Sequence, residues 1–348
     1  MNMKTAYREV ERRISGVSFS RLWPGFTPKK FALYNETDCV FDGQPVEKTT
    51  DFTANTAIEY RGETVAIWDL SGAGEETDFD RLAASVIHEM FHAFQTASGE
   101  SRWPNEIAAL FDYEYSPENL SGKLREAALL GLALEEGGEE AFRQLLRHRK
   151  RRAERFPASY DYESRIEQIE GTAKYVEWKA LTQISPEKGA DFRRKMLEEI
   201  RKPENYLPIR VISYSVGAAL LEAIDRYSAG DCFAFDEVPF AQKILSGVTP
   251  AEEEADPDPA LLRLIAAYKE ETGRIIREAL RRGEVVLEGA WPLGGLNVWD
   301  ARREGEYITS RYFAAYSDAG ETKSLSGDFV LEMGRDCIIR RIYRQADG

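Results

Sequence analysis

Five consecutive residues, His88-Glu89-Met90-Phe91-His92, carry the side chains best suited to chemistry in this chain. On a helix, two histidines four residues apart lie one turn above the other, so both imidazoles can reach a single metal ion. Glu89 sits about 100° further round the same helix. There its carboxylate can take a proton from a water polarised by the metal rather than bind the metal itself. The sequence has only three histidines, and two of them fall in this spacing. The ordinary alternative is a core helix with two hydrogen-bonded histidines. That alternative must find partners for three polar groups on one buried side, each costly to bury alone.

The element that positions them is legible around the motif. Between Leu82 and Gly99 the only formally charged residue is Glu89, so the helix reads as largely buried. Leu82, Val86, Ile87, Met90, Phe91 and Phe94 form a wide apolar face at helical spacing. His88 and His92 fall on the opposite side, where Ala84, Ser85 and Gln95 leave room. Thr77 and Asp80 suggest a capping box at the start, and Ser98-Gly99 a stop. Downstream, Glu163, Glu170 and Glu177 recur at seven-residue intervals, which places all three near one face of a helix.

The motif, with Glu170-Gly171-Thr172-Ala173-Lys174-Tyr175 further on, resembles the zincin metallopeptidases of the gluzincin type. The second stretch is similar to their EGxAxY pattern. The resemblance implies a Zn2+ ion held by His88, His92 and Glu170, with Glu89 as general base in peptide-bond hydrolysis. Glu177 is the alternative third ligand. Gly171 would let its helix approach the His88 helix closely, and Ala173 would keep the adjoining face small. Lys174 departs from the pattern, since thermolysin-like enzymes place an acidic residue there. For the oxyanion, the resemblance points to a downstream tyrosine, here Tyr214, with Arg210 second. An aromatic packed at a helix start is the competing account of Tyr214. Upstream, 55–60 and 64–68 read as a hairpin like the one that holds substrate backbone in such enzymes, so the implied partner is a peptide or protein substrate.

The whole chain is read as α+β and zincin-like. Residues 1–282 form the metallopeptidase domain, with a mixed sheet and the motif helix in 1–100 and a mostly helical lobe in 101–282. Residues 283–348 are a β-rich segment, either a separate module or strands added to the first sheet. Helices are expected over 118–135, 139–155, 162–182, 189–201, 209–227 and 259–282. Strands are expected over 30–34, 56–60, 64–68, 285–287, 307–316, 326–332 and 337–343. The stretch 249–259 reads as an exposed loop. A net charge of −14 argues against a broad nucleic-acid surface. The basic run Arg147-His148-Arg149-Lys150-Arg151-Arg152 reads as a solvated helix face, with a dock for an acidic partner as the alternative. Three scattered cysteines give no disulfide framework or metal spacing. The first sixteen residues form a charged amphipathic helix without a signal-peptide core, and no run suits a membrane span. A cytoplasmic protein is the expectation. Two rival functions remain: a zincin-fold binding module or hydrolase of a non-peptide substrate, and a helical interaction protein.

Overall fold

The computed structural model describes residues 2–74, 76–136, 138–228, 237–253 and 256–345. Cys232 and part of the expected 249–259 loop lie outside them. The fold is α+β with two separate sheets. Helix α1 (Met3–Ile14) buries Ala6, Tyr7 and Val10 and precedes β1 (Phe31–Tyr34), β2 (Cys39–Phe41), β3 (Gln44–Val46), β4 (Thr56–Tyr60) and β5 (Glu63–Asp69). These strands form a mixed sheet in the order β3-β2-β1-β5-β4. Strand β1 runs parallel to β5, pairing Leu33 with Trp68, and β4 is antiparallel to β5, pairing Thr56 with Ile67. Among the described residues β5 is the only strand paired with β4, whose other side is a free edge.

Helix α2 (Phe79–Ala97) carries the histidine motif and packs its apolar face onto this sheet. Phe91 and Phe94 enter an aromatic cluster with Trp23 and Phe26, with ring centroids 5.1–5.6 Å apart. Its N-terminus is capped by Asp78, whose carboxylate accepts from the backbone N–H groups of Asp80 and Arg81. The expected Thr77–Asp80 box does not form. Thr77 donates to the Gly74 carbonyl, while Asp80 is drawn to Arg13 and Lys188. Gly99, at φ 76°, follows the C-cap Ser98 as expected.

The helical layer comprises α3 (Glu106–Asp112), α4 (Pro117–Glu136), α5 (Glu139–Arg155), α6 (Pro157–Ile166), α7 (Thr172–Ile184), α8 (Pro186–Glu199), α9 (Ile209–Tyr227), α10 (Phe240–Lys243) and α11 (Pro259–Arg282). One continuous helix was expected over 162–182. Instead a π-helical turn, Glu167–Gly171, joins α6 to α7. A π turn advances less per residue than an α turn, so five residues of it lag the α-helical phase by about a quarter turn. This removes Glu163 from the face that Glu170 and Glu177 share. Glu163 is instead wholly buried with Arg152 and Lys123.

The π turn lies directly against α9. A Cβ on Gly171 would meet the Gly217 Cα at 2.7 Å, and one on Gly217 would meet the Glu167 Cα at 2.8 Å. Gly171 thus serves the approach of α9, not of the His88 helix as its sequence context suggested. Because Arg210 and Tyr214 stand seven and three residues before Gly217, this contact brings their helix face to Glu170. Gly217→Ala should force the helices apart at a cost of about 1–3 kcal/mol. Its checks are a lowered thermal midpoint and weakened metal retention.

The basic run also differs from expectation. Arg149 and Arg152, on α5, are buried, because three carboxylates from α4, α6 and the π turn face them. Arg152 pairs with Glu126 and Glu163, Arg149 pairs with Glu167, and Lys123 bridges Glu163 and Glu167 at 2.7 Å each.

Beyond α11, which ends at Gly283 with φ 68°, β6 (Val285–Leu296), β7 (Arg303–Glu304), β8 (Tyr307–Ser310), β9 (Phe313–Asp318), β10 (Glu321–Ser326), β11 (Phe329–Met333) and β12 (Ile338–Arg344) form a second sheet. Its order is β10-β9-β6-β12-β11-β8-β7, with a core of Leu296, Ile308, Phe329, Leu331 and Ile342. The strand expected over 307–316 is broken at Tyr312, which takes a positive φ of 70°. The tail is therefore its own sheet, packed on α3 and α11, not an extension of the first. No described helix is long and apolar enough to cross a membrane. Cys39 and Cys337 are free thiols.

Candidate metal centre

Helix α2 lies beside α7, and polar side chains of α2, of α7 and of the π turn before it form one cluster. His88 Nε2 and His92 Nε2 are 3.1 Å apart, and Glu170 Oε2 lies 3.7 Å from the first and 3.3 Å from the second. Ligand atoms bonded to a tetrahedral zinc at about 2.0–2.1 Å would be about 3.4 Å apart. The three observed separations bracket that value. His88, His92 and Glu170 form the group of potential ligands found among the described residues.

Hydrogen bonding fixes which atoms are free to bind. Gln95 Nε2 donates to the Ile169 carbonyl and to Thr172 Oγ1, so its Oε1 must face His92 Nδ1, at 2.8 Å. His92 Nδ1 therefore carries the proton and Nε2 presents a lone pair. Glu177 Oε2 receives His88 Nδ1 at 3.2 Å, and its Oε1 accepts from Ser85 Oγ at 2.9 Å. Glu177, the alternative third ligand, thus lies behind His88, against the ring nitrogen that faces away from the cluster. It occupies the acidic outer position that Lys174 does not supply. Lys174 instead lies over the Phe192 ring.

With both imidazoles neutral, these tautomers turn three electron-pair donors toward one point. Such a set attracts a cation. Burial by itself depresses the His88 imidazolium, but Glu170 and Glu177 outweigh it and raise its pKa to about 10. Burial likewise pushes the Glu170 carboxyl up, yet the two histidines and Arg210 hold it well below the usual range.

Two further site residues, Arg210 and Tyr214, come from α9. Arg210 Nη2 donates to Glu170 Oε1 at 3.1 Å, leaving Oε2 for the cluster, and Arg210 Nε donates to Glu106 at 3.0 Å. Arg210 also donates to the Tyr214 hydroxyl and lies over the Tyr214 and Trp299 rings. Glu89, on α2, is 7% exposed. Among the described residues, none hydrogen-bonds or ion-pairs with its carboxylate. Burial raises its pKa, the neighbouring histidines oppose that, and Glu170 and Glu177 add to it.

His88, Glu89, His92, Glu170, Glu177, Arg210 and Tyr214 line a cleft of about 460 Å³. Asn55, Thr56 and Ala57, at the start of the free edge strand β4, form part of its wall. The structure thus brings together His88, Glu89, His92, Glu170, Arg210 and Tyr214, and excludes Glu163. Sequence reasoning missed the orienting roles of Ser85 and Gln95, and three tryptophans of the cleft, Trp68, Trp103 and Trp299. Polar residues at helical spacing from the histidines were the available signal for the first pair. Nothing local marked Trp299, which arrives from the second sheet.

No protein-family model, curated protein or solved structure matches this chain.

Proposed function

We propose that this protein is a zinc-dependent peptidase with a zincin-like arrangement, in which His88, His92 and Glu170 hold the ion. The carrying observation is the convergence of three lone-pair donors at tetrahedral spacing beside an unpartnered carboxylate, Glu89. Zinc, when bound, lowers the pKa of a coordinated water and polarises the substrate carbonyl. Glu89 accepts the proton of the attacking water and returns it to the leaving nitrogen. Arg210 fixes Glu170, and Tyr214, a residue of the cleft lining, would donate its hydroxyl proton to the developing oxyanion. The edge of β4 offers backbone partners to an extended peptide. An unpartnered buried carboxylate has no use in a site that only binds metal, which favours catalysis over the binding-module alternative.

Metal content and peptide turnover test this directly. Zinc-supplemented protein dialysed against a moderate chelator should retain close to one zinc per chain and cleave a peptide library. His88→Ala and Glu170→Ala should lose the ion. Glu177→Ala should bind zinc about 10–100-fold more weakly without abolishing it. Zinc loss confined to Glu177→Ala would reverse the assignment of Glu170, and full zinc in His88→Ala would end the metal-site reading.

A further inference from the structure

Tryptophan carries a large apolar surface with a single polar N–H, and its placement here is uneven. Three of the six tryptophans line the metal cleft. Two of these, Trp103 at 44% and Trp299 at 51%, are more exposed than any other described tryptophan. Both are held in place despite that exposure. Trp103 Nε1 donates to the Glu100 carbonyl at 2.8 Å, and the Trp299 backbone N–H donates to Asn297 Oδ1 at 3.2 Å. Trp299 also meets the Tyr214 ring edge-on, at 5.8 Å between centroids, and covers the Arg210 guanidinium at 5.4 Å. It belongs to the loop between β6 and β7, so the second sheet supplies a wall of a cleft otherwise built by the first sheet and the helices.

Apart from Glu89 beside the histidines, the charged side chains of the same cleft are paired. Arg210 is paired with Glu106 and Glu170, and Glu177 with His88 and Ser85. Asn55 Oδ1 accepts from the Asp69 N–H. The large exposed hydrophobic side chains of the cleft are Trp103 and Trp299, and aromatic faces recognise large apolar side chains by area burial and edge-to-face contact.

We infer that Trp299 and Trp103 form a side-chain subsite selecting peptides with a large aromatic residue beside the metal centre, and that the C-terminal sheet is a specificity element. This rests on the peptidase reading for the site's chemistry, but not for its test. The probe is zinc-loaded Glu89→Gln protein, titrated with blocked alanine peptides that carry one central Phe, Lys, Glu or Ala, with binding read by calorimetry. The Phe peptide should bind about tenfold or more tightly than the Ala peptide. Trp299→Ala, at an exposed loop position, should remove most of that preference, and Trp299→Phe should keep part of it. Equal affinities, a preference for Lys or Glu, or a Phe preference that survives both Trp299→Ala and Trp103→Ala would overturn the inference. Hydrolysis by the wild type is measured separately. Aromatic-selective binding without turnover would sink the peptidase reading alone, and turnover without selectivity would sink the subsite alone.

Discussion

Glu89→Gln protein should fold and retain its zinc while losing about 10²–10⁴-fold in peptide hydrolysis. The amide keeps the volume and planarity of the carboxylate but cannot accept a proton. Glu89 makes no hydrogen bond or close ion pair among the described residues, so the substitution breaks none and removes only the longer-range attraction to His88 and His92. It also removes a charge from a position only 7% exposed, which spares the fold a desolvation cost. The thermal midpoint should therefore stay level or rise. This separates Glu89 from Glu170, whose two oxygens face the histidine pair and Arg210. Side-by-side kinetics and metal analysis of the two glutamine variants check the distinction. A Glu89→Gln protein that lost zinc would make Glu89 a ligand or a structural group, and one that retained full turnover would remove it from the chemistry.

The histidine motif could be read from sequence because its geometry is internal to one helix. Four-residue spacing dictates that His88 and His92 stack, whatever surrounds them. The same locality explains why the spans of α5, α9 and α11 were legible, each being a long amphipathic or apolar-rich run with clear ends. Glu163 shows where that logic stops. Its seven-residue spacing from Glu170 implies a shared face only if every intervening turn is α-helical, and no residue type announces the π turn at Glu167–Gly171. Gly171 was visible as a point of close approach, but not which helix approaches. Arg149 and Arg152 failed for a related reason. A run of cations looks solvated unless its counter-charges are known, and Glu126, Glu163 and Glu167 lie on other elements. Trp299 reaches Arg210 only through the packing of the second sheet, a contact that neither local pattern contains.

Removing one member of the buried ion network should be among the most destabilising single changes in this chain. Lys123, Arg149 and Arg152 face Glu126, Glu163 and Glu167, all 3% exposed or less. The charges balance, and the pairs are supplemented by Tyr113, Tyr160 and Asn119. Neutralising one partner leaves another charge buried and unpaired, which costs about 3–5 kcal/mol. Against a typical total of about 5–15 kcal/mol, Arg152→Met should lower the unfolding midpoint sharply. The effect should reach the metal centre as well, because Glu167 opens the π turn that presents Glu170. A Glu167→Gln variant, which keeps the shape but weakens the Lys123 and Arg149 pairs, should lose zinc affinity more than its loss of stability alone accounts for. The network also gives the fold an acid limit. Burial alone would raise the Glu163 and Glu167 carboxyls, but Arg152 and Lys123 for the first, and Arg149 and Lys123 for the second, hold both below the ordinary value. Their folded pKa is depressed, so their stabilisation is complete above the unfolded carboxylate pKa of about 4.3 and is lost as pH falls below it. Denaturant titrations of wild type and Arg152→Met between neutral and acidic pH should converge as the solution is acidified. Curves that stayed parallel would mean the carboxylates contribute no pH-dependent stability, and the network would then be a packing element without electrostatic weight.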